Sequence, residues 1–283
     1  AINKYCYVTA RQLPEISEHN VRLSYSKIET CKDISDLKHP LVRAALEDLK
    51  ISKVEIHYDA DLPTNSGLGT SSAFAVGLIN SLSALQGKYE KKEYLAKKAI
   101  YWERYLLKEK GGYQDQIASA FGGINNIKFF DKSSFKVHPI LLSKEQIKEL
   151  ASRFLLVYIP KFRLSNDYSV GNFLNEKKTI EKLDSINSIA DEAKKYLDMA
   201  DFDNLGKLLD KSWHFKRSIS NVTNKVIDEV YEETKNAGAI GSKLLGAGGG
   251  GFMLAWCREG EANKIQKILR EKNLYSLKIE IDI

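Results

Sequence analysis

The sequence has 283 residues, 43% hydrophobic and 28% charged, which is ample material for a packed core and excludes a disordered chain. Its formal charge of +6 comes from 43 basic and 37 acidic residues that are well mixed, with no concentrated Lys/Arg tract interleaved with aromatics, so nucleic acid is not the expected partner. Cys6, Cys31 and Cys257 have no close pairs, no run approaches the ~20 apolar residues that span a bilayer, and no leader pattern stands at the start, so no disulfide framework, structural zinc or membrane is expected and a reducing cytoplasm is.

In chain order, 5–9 reads as a strand and 21–25 as another, the second from the alternation of Val21, Leu23 and Tyr25. A short helix over 41–49 leads to a strand at 54–58, where Val54, Ile56 and Tyr58 alternate. Pro63 stops that strand, Gly67 and Gly69 free the backbone, and Thr70, Ser71 and Ser72 stand where helix caps are wanted. Apolar helix formers over 73–85 predict a buried helix, ended by Gln86 and Gly87. The next helix, about 91–110, carries Leu95, Ala99, Trp102 and Leu106 on one face and ends at Gly111 and Gly112.

Strand character resumes at 124–130 and again, strongly apolar, at 154–160. The hydrophilic stretch 142–150 between them places the domain boundary within 143–152, giving halves 1–147 and 148–283. The second half is mostly helical from 170 to 234. Gly238, Gly241 and the run 246–251 then break the pattern before a buried strand at 252–256, an amphipathic helix at 261–272 and an alternating end at 277–283. No repeat of 20 to 50 residues is present, and the mixture is an α+β fold in two halves.

The turn at 61–73 suits an anion. A helix start leaves its first N–H groups unpaired and carries the positive end of the helix dipole, and glycines let a phosphate approach without meeting a Cβ. A loop relieved by glycines and capped by hydroxyls is the plainer alternative. The turn is no Walker A loop, because no Lys follows Gly69 in the required place, and the dinucleotide fingerprint fails because its third glycine position is Ser72.

Three stretches stand together: Pro63-Thr64-Asn65-Ser66-Gly67-Leu68-Gly69-Thr70-Ser71-Ser72-Ala73, the helix bearing Glu103 with Gly111-Gly112-Tyr113-Gln114-Asp115-Gln116, and Lys243-Leu244-Leu245-Gly246-Ala247-Gly248-Gly249-Gly250-Gly251-Phe252. In this order and spacing they resemble the GHMP small-molecule kinases, the family of galactokinase, mevalonate kinase and homoserine kinase. Ala1-Ile2-Asn3-Lys4-Tyr5, Val21-Arg22-Leu23-Ser24-Tyr25-Ser26-Lys27 and His39-Pro40-Leu41-Val42-Arg43-Ala44 add a resemblance to the bacterial heptose 7-phosphate kinases within it. Fucokinase-like sugar kinases carry similar stretches. Members of that subfamily have a strand and a Gly-rich, sugar-binding segment ahead of residues like 1–5, to which nothing in this sequence corresponds.

The resemblance implies a two-domain GHMP kinase fold, with an N-terminal mixed α/β domain and a C-terminal ferredoxin-like α/β domain with added helices. It implies ATP and Mg²⁺, and phosphorylation of the C1 hydroxyl of D-glycero-D-manno-heptose 7-phosphate. Another sugar such as fucose, or a non-catalytic nucleotide-binding relative, are the alternatives. The partners are then ATP and a small sugar phosphate, without nucleic acid or membrane, and a homodimer stays open.

Residue by residue, the resemblance assigns Pro63, Ser66, Gly67, Leu68, Gly69, Thr70, Ser71 and Ser72 to the ATP phosphates, and Ser71 with Glu103 to the metal. Ser71 as a helix cap is the rival role. For Glu103 the rival is a surface ion pair, but its neighbours three and four positions away are Ala99, Ile100, Leu106 and Leu107, none of them basic. Asp115, between two amides able to hold its carboxylate, matches the family's catalytic Asp, against a rival role capping 117–121. Gly248, Gly249, Gly250 and Lys243 are expected at the phosphates or the substrate, against a flexible linker. Arg163 is expected to clamp the distal phosphate of a sugar phosphate, against a solvated loop cation.

Overall fold

The computed structural model describes residues 1–63, 66–130, 134–160, 177–219 and 222–282, with the backbone alone at 177–183 and 219. They fall into two units, one of Lys4–Thr64 with Gly69–Gly122, the other of Ala1–Asn3, Asn65–Leu68 and Gly123–Ile283.

In the first unit β1 (Cys6–Gln12), β2 (Val21–Ser24), β3 (Ile28–Cys31) and β4 (Val54–Ala60) form one sheet in the order β1-β4-β2-β3. β2 runs parallel to β4 and the other neighbours are antiparallel. Side chains alternate across a strand, so Leu23 and its register partner Ile56 share one face, and Arg22 and its partner Glu55 share the other. The apolar positions are buried with α1 (Pro40–Leu49), α2 (Thr70–Leu85), α3 (Lys92–Ile100) and α4 (Gln114–Phe121). α1 starts on Pro40 with His39 as its cap and stops at Lys50, which is left-handed at φ 53°.

α2 packs on β1, α3 and α4 and buries Phe74, Leu78, Ile79 and Leu82, each worth about 1.5–3 kcal/mol against exposure. The helix expected over 91–110 is two pieces: after α3 the chain widens into a π-helical turn, Tyr101–Leu106, where the Leu107 N–H reaches the Trp102 carbonyl. The wider turn puts two consecutive residues, Trp102 and Glu103, inside at 0% and 1% exposure. Trp102 fixes it by donating its indole N–H to Asp48 at 2.7 Å.

In the second unit β7 (Phe154–Ile159), β8 (Gly241–Leu244), β9 (Gly251–Trp256) and β10 (Ser276–Leu277) form an antiparallel sheet in the order β10-β7-β9-β8. Counted within that sheet the order is 4-1-3-2, the split βαβ arrangement of ferredoxin-like folds. Among the described residues the crossover from β7 to β8 carries α6 (Lys177–Asp198), α7 (Phe202–Ile219) and α8 (Lys225–Asn236); α9 (Ala262–Glu271) joins β9 to β10. Leu155, Val157 and Met253 are fully buried in one core with Trp213, Ile227, Ile265 and Leu269. α7 crosses the sheet so closely that a Cβ on Gly206 would stand 2.5 Å from the Trp256 ring.

The expected division at 147/148 falls inside this unit. Ile124 and Leu142, on either side of the hairpin β5 (Asn125–Phe129) and β6 (Phe135–Pro139), pack against Leu150, Phe202 and Trp256, and the hydrophilic stretch between them and β7 is α5 (Lys144–Ser152), held by a capping box at Ser143 and Gln146.

Candidate active site

The start of α2 carries the first group of candidate residues. Gly69 occupies the cap position in the left-handed region at φ 73°, and no side chain caps the helix. Ser71 and Ser72, expected as caps or ligands, turn instead to a buried carboxylate: Ser71 Oγ donates to Glu103 Oε1 at 3.2 Å and Ser72 Oγ to Oε2 at 2.9 Å. Ser71 is exposed and Ser72 is buried, so the pair joins the surface to the interior.

Glu103 also accepts from Gln116 Nε2, and Gln116 is itself fully buried. The amide oxygen of Gln116 has no partner among the described residues, so this cluster holds one oxygen acceptor to spare. Its donor set is hydroxyl, carboxylate and amide oxygen, which suits a hard divalent cation. No group of three or more His, Cys, Asp or Glu gathers among the described residues. A metal at Ser71 and Glu103 would therefore complete its shell from phosphate and water, the habit of Mg²⁺.

Asp115 lies in the first turn of α4, not at its cap, which is Tyr113. A Cβ on Gly69 would stand 3.5 Å from Cβ and Cγ of Asp115, so the cap of α2 and the Asp115 carboxylate are neighbours. Burial, and then the charge of Glu103, push the Asp115 carboxyl above its ordinary value; Arg104 and a hydrogen bond from Gln114 oppose them. Only one of the two expected amides, Gln114, serves Asp115, because Gln116 donates to Glu103 instead. Arg104 went unnoticed in the sequence, although it directly follows Glu103. Its Nε donates to the Gly112 carbonyl at 3.1 Å and so fixes the turn that leads into Asp115.

The second unit holds most of the remaining candidates. Ser66 is buried, and its carbonyl accepts from the Phe252 N–H at 3.1 Å. Gly67 lies against the backbone of Leu245 and Gly246; Leu68 is half-buried and Pro63, in the first unit, is exposed. Gly248, Gly249 and Gly250 all have positive φ, at 123°, 77° and 132°. Gly249 and Gly250 are buried, and the Gly249 N–H reaches the Val222 carbonyl, so the exposed part of this loop is Gly246 and Ala247. Lys243 Nζ donates to Ser212 Oγ at 2.7 Å. Arg163 lies outside the described residues.

Each unit also matches a family model: the GHMP kinases N-terminal domain over 38–123 and the GHMP kinases C-terminal domain over 190–274. The chain belongs to the GHMP kinases. Among relatives of this GHMP kinase chain, D-glycero-alpha-D-manno-heptose 7-phosphate kinase of Campylobacter jejuni is 34% identical over 228 residues, covering 78% of this chain and 66% of that one. The bifunctional fucokinase/GDP-fucose pyrophosphorylase of Arabidopsis thaliana is 28% identical over 228 residues, covering 78% and 21%. The chain thus spans less than two thirds of the length of either relative. The crystal structure of a D-glycero-D-manno-heptose 1-phosphate kinase from Bacteriodes thetaiotaomicron superposes with a TM-score of 0.78 at 20% identity, over 99% of this chain and 85% of that one, a likeness of fold.

Proposed function

We propose that this GHMP kinase chain transfers the γ-phosphoryl group of ATP to the C1 hydroxyl of D-glycero-D-manno-heptose 7-phosphate, giving the 1,7-bisphosphate. The observation that carries the reading is the meeting of Ser71 and Glu103 beside the uncapped start of α2, with Asp115 against Gly69. Phosphoryl transfer asks a protein for positioning and charge stabilisation, and these residues supply both.

The N–H groups over 66–72 and the dipole of α2 bind the ATP phosphates. The Ser71 hydroxyl and Glu103 carboxylate hold Mg²⁺, which when bound neutralises charge on the transferring group. Asp115 accepts the proton of the attacking hydroxyl, and its raised pKa makes it a better base than an exposed carboxylate. Ser72 and Gln116 keep the Glu103 carboxylate fixed. Lys243, the glycines at 248–250 and Arg163 serve the substrate phosphate. The name of the Campylobacter relative supports the sugar, and the three free thiols support a cytoplasmic setting.

A kinase for another sugar is favoured by the fucokinase match. Formation of ADP with ATP and Mg²⁺ is the test, with heptose 7-phosphate and fucose as rival acceptors. Turnover of the heptose phosphate that collapses in Asp115→Asn supports the first reading; turnover of fucose alone replaces it with the second.

A further inference from the structure

Ser212 and Lys216 stand four residues apart on α7, so both side chains leave one face of that helix. Lys243, on the neighbouring strand β8, reaches Ser212 Oγ at 2.7 Å, while Lys216 Nζ donates to the Gly246 carbonyl at 2.6 Å. Two half-buried ammonium groups are thereby held along this face of α7, that of Lys216 at the exposed end of the glycine loop, each with one of its three donors used. Among the described residues no carboxylate pairs with either. The acids of this region are engaged elsewhere: Asp210 with Tyr231, Lys235 and the Ser242 N–H, and Asp228 with Arg217 and Thr223.

Unpaired, half-buried like charges are costly to keep, and the cost registers in both lysines. Burial and the charge of Lys243 bring Lys216 down to about 8, and burial lowers Lys243. An anion with several acceptor oxygens offsets that cost, and a phosphate monoester offers three. We infer that Lys216 and Lys243 together form a subsite for a phosphate ester group, with Lys216 as its hitherto unassigned member.

The class of ligand rests on the kinase reading, and the two sources are the nucleotide and the sugar phosphate. The test therefore starts with tripolyphosphate, a probe that does not need that reading. Its dissociation constant is measured by calorimetry for the full chain, Lys216→Met, Lys243→Met and Lys216→Arg. Each Met variant is expected to bind about tenfold more weakly, the worth of one charge-assisted contact, with Lys216→Arg close to wild type. The unliganded melting temperature should stay level or rise in the Met variants, because one of two like charges is gone. Unchanged affinity in both Met variants overturns the subsite, as does a wild type that does not bind tripolyphosphate.

Should a Met variant not fold, ¹³C-methylated wild-type lysines provide a second readout. The Lys216 and Lys243 signals must shift on adding tripolyphosphate, and signals that stay put overturn the proposal. A non-hydrolysable ATP analogue and heptose 7-phosphate then separate the sources: tenfold weakening for one of them assigns the pair to that ligand. Loss of tripolyphosphate binding in the variants of a chain that never turns over ATP keeps the subsite and removes the kinase reading. Turnover and affinity intact in both Met variants do the reverse.

Discussion

Gly67 and Gly246 meet backbone to backbone: a Cβ on Gly246 would stand 2.6 Å from the Gly67 Cα, and a Cβ on Gly67 would stand 2.7 Å from the Leu245 carbonyl oxygen. Both residues are left-handed, at φ 78° and 73°, so two separate requirements select glycine at each. Gly67→Ala is expected to lose about 2–4 kcal/mol, the sum of backbone strain and an unrelieved contact. Gly87→Ala is the control, with φ 74° and nothing within 4 Å of its Cβ, and should lose only about 1 kcal/mol. Equal losses in denaturant unfolding of the two variants would remove the contact from the argument.

Asp115 gives a prediction in rate and one in stability. Asp115→Asn should lower kcat by about 10²–10⁴ while ATP still binds. At pH 7 the same variant should melt higher than wild type. A carboxyl whose folded pKa is raised binds its proton more tightly in the folded state, so its ionisation removes stability as pH rises, and the amide does not ionise. The acid limb of kcat/KM should lie above the ordinary 3.8 and move further up in Arg104→Gln, which removes a charge that holds it down. A limb unmoved by that change would detach Arg104 from Asp115.

Ser71 and Glu103 should share one phenotype. Ser71→Ala and Glu103→Gln are each expected to raise the Mg²⁺ concentration needed for half-maximal turnover by about 10–100-fold, and chelation by EDTA should stop wild-type turnover. Ser72→Ala, which loses only a hydrogen bond to the same carboxylate, should have the smaller effect. An identical Mg²⁺ requirement in Ser71→Ala and wild type would leave Ser71 as a prop for Glu103 alone.

Glu55 should govern acid stability. It is 2% exposed on the sheet face away from the core, covered by the side chains that hold it. Burial alone would push its carboxyl up, but hydrogen bonds from Arg11, Arg22 and His57 overcome this and bring it to about 2. A depressed pKa stabilises the fold fully above the ordinary 4.5, and this contribution is lost as pH falls from there towards 2. Glu55→Gln should cost about 1–3 kcal/mol at pH 7, with the gap from wild type narrowing below pH 4.5. A gap of constant size across that range would count against the ionised carboxylate.

Much of the site could be read from local rules. Gly67 and Gly69 stand where positive φ is needed, the apolar run over 73–85 is a buried helix, and the alternation at 54–58 is β4. Two strands escaped that reading: β3 and β6 are drawn into strands by pairing with β2 and β5, a contact that lies outside their own few residues. The π-helical turn escaped too, since nothing local to Tyr101–Leu106 forbids an ordinary helix.

By itself, then, the sequence determined the glycine turns, the helix and strand periods and the residue types of the candidate site, because these depend on torsions and side-chain spacing within a few residues. Tertiary packing alone decided that Gln116 serves Glu103 instead of Asp115, that Ser72 joins Ser71 on one carboxylate, and that Lys216 reaches Gly246 while Lys243 reaches Ser212 one turn away on the same helix. Those partners lie 13 to 31 positions apart in the chain, beyond the reach of any helical or strand period, and they meet only because buried apolar faces fix how helices lie on one another and on their sheets.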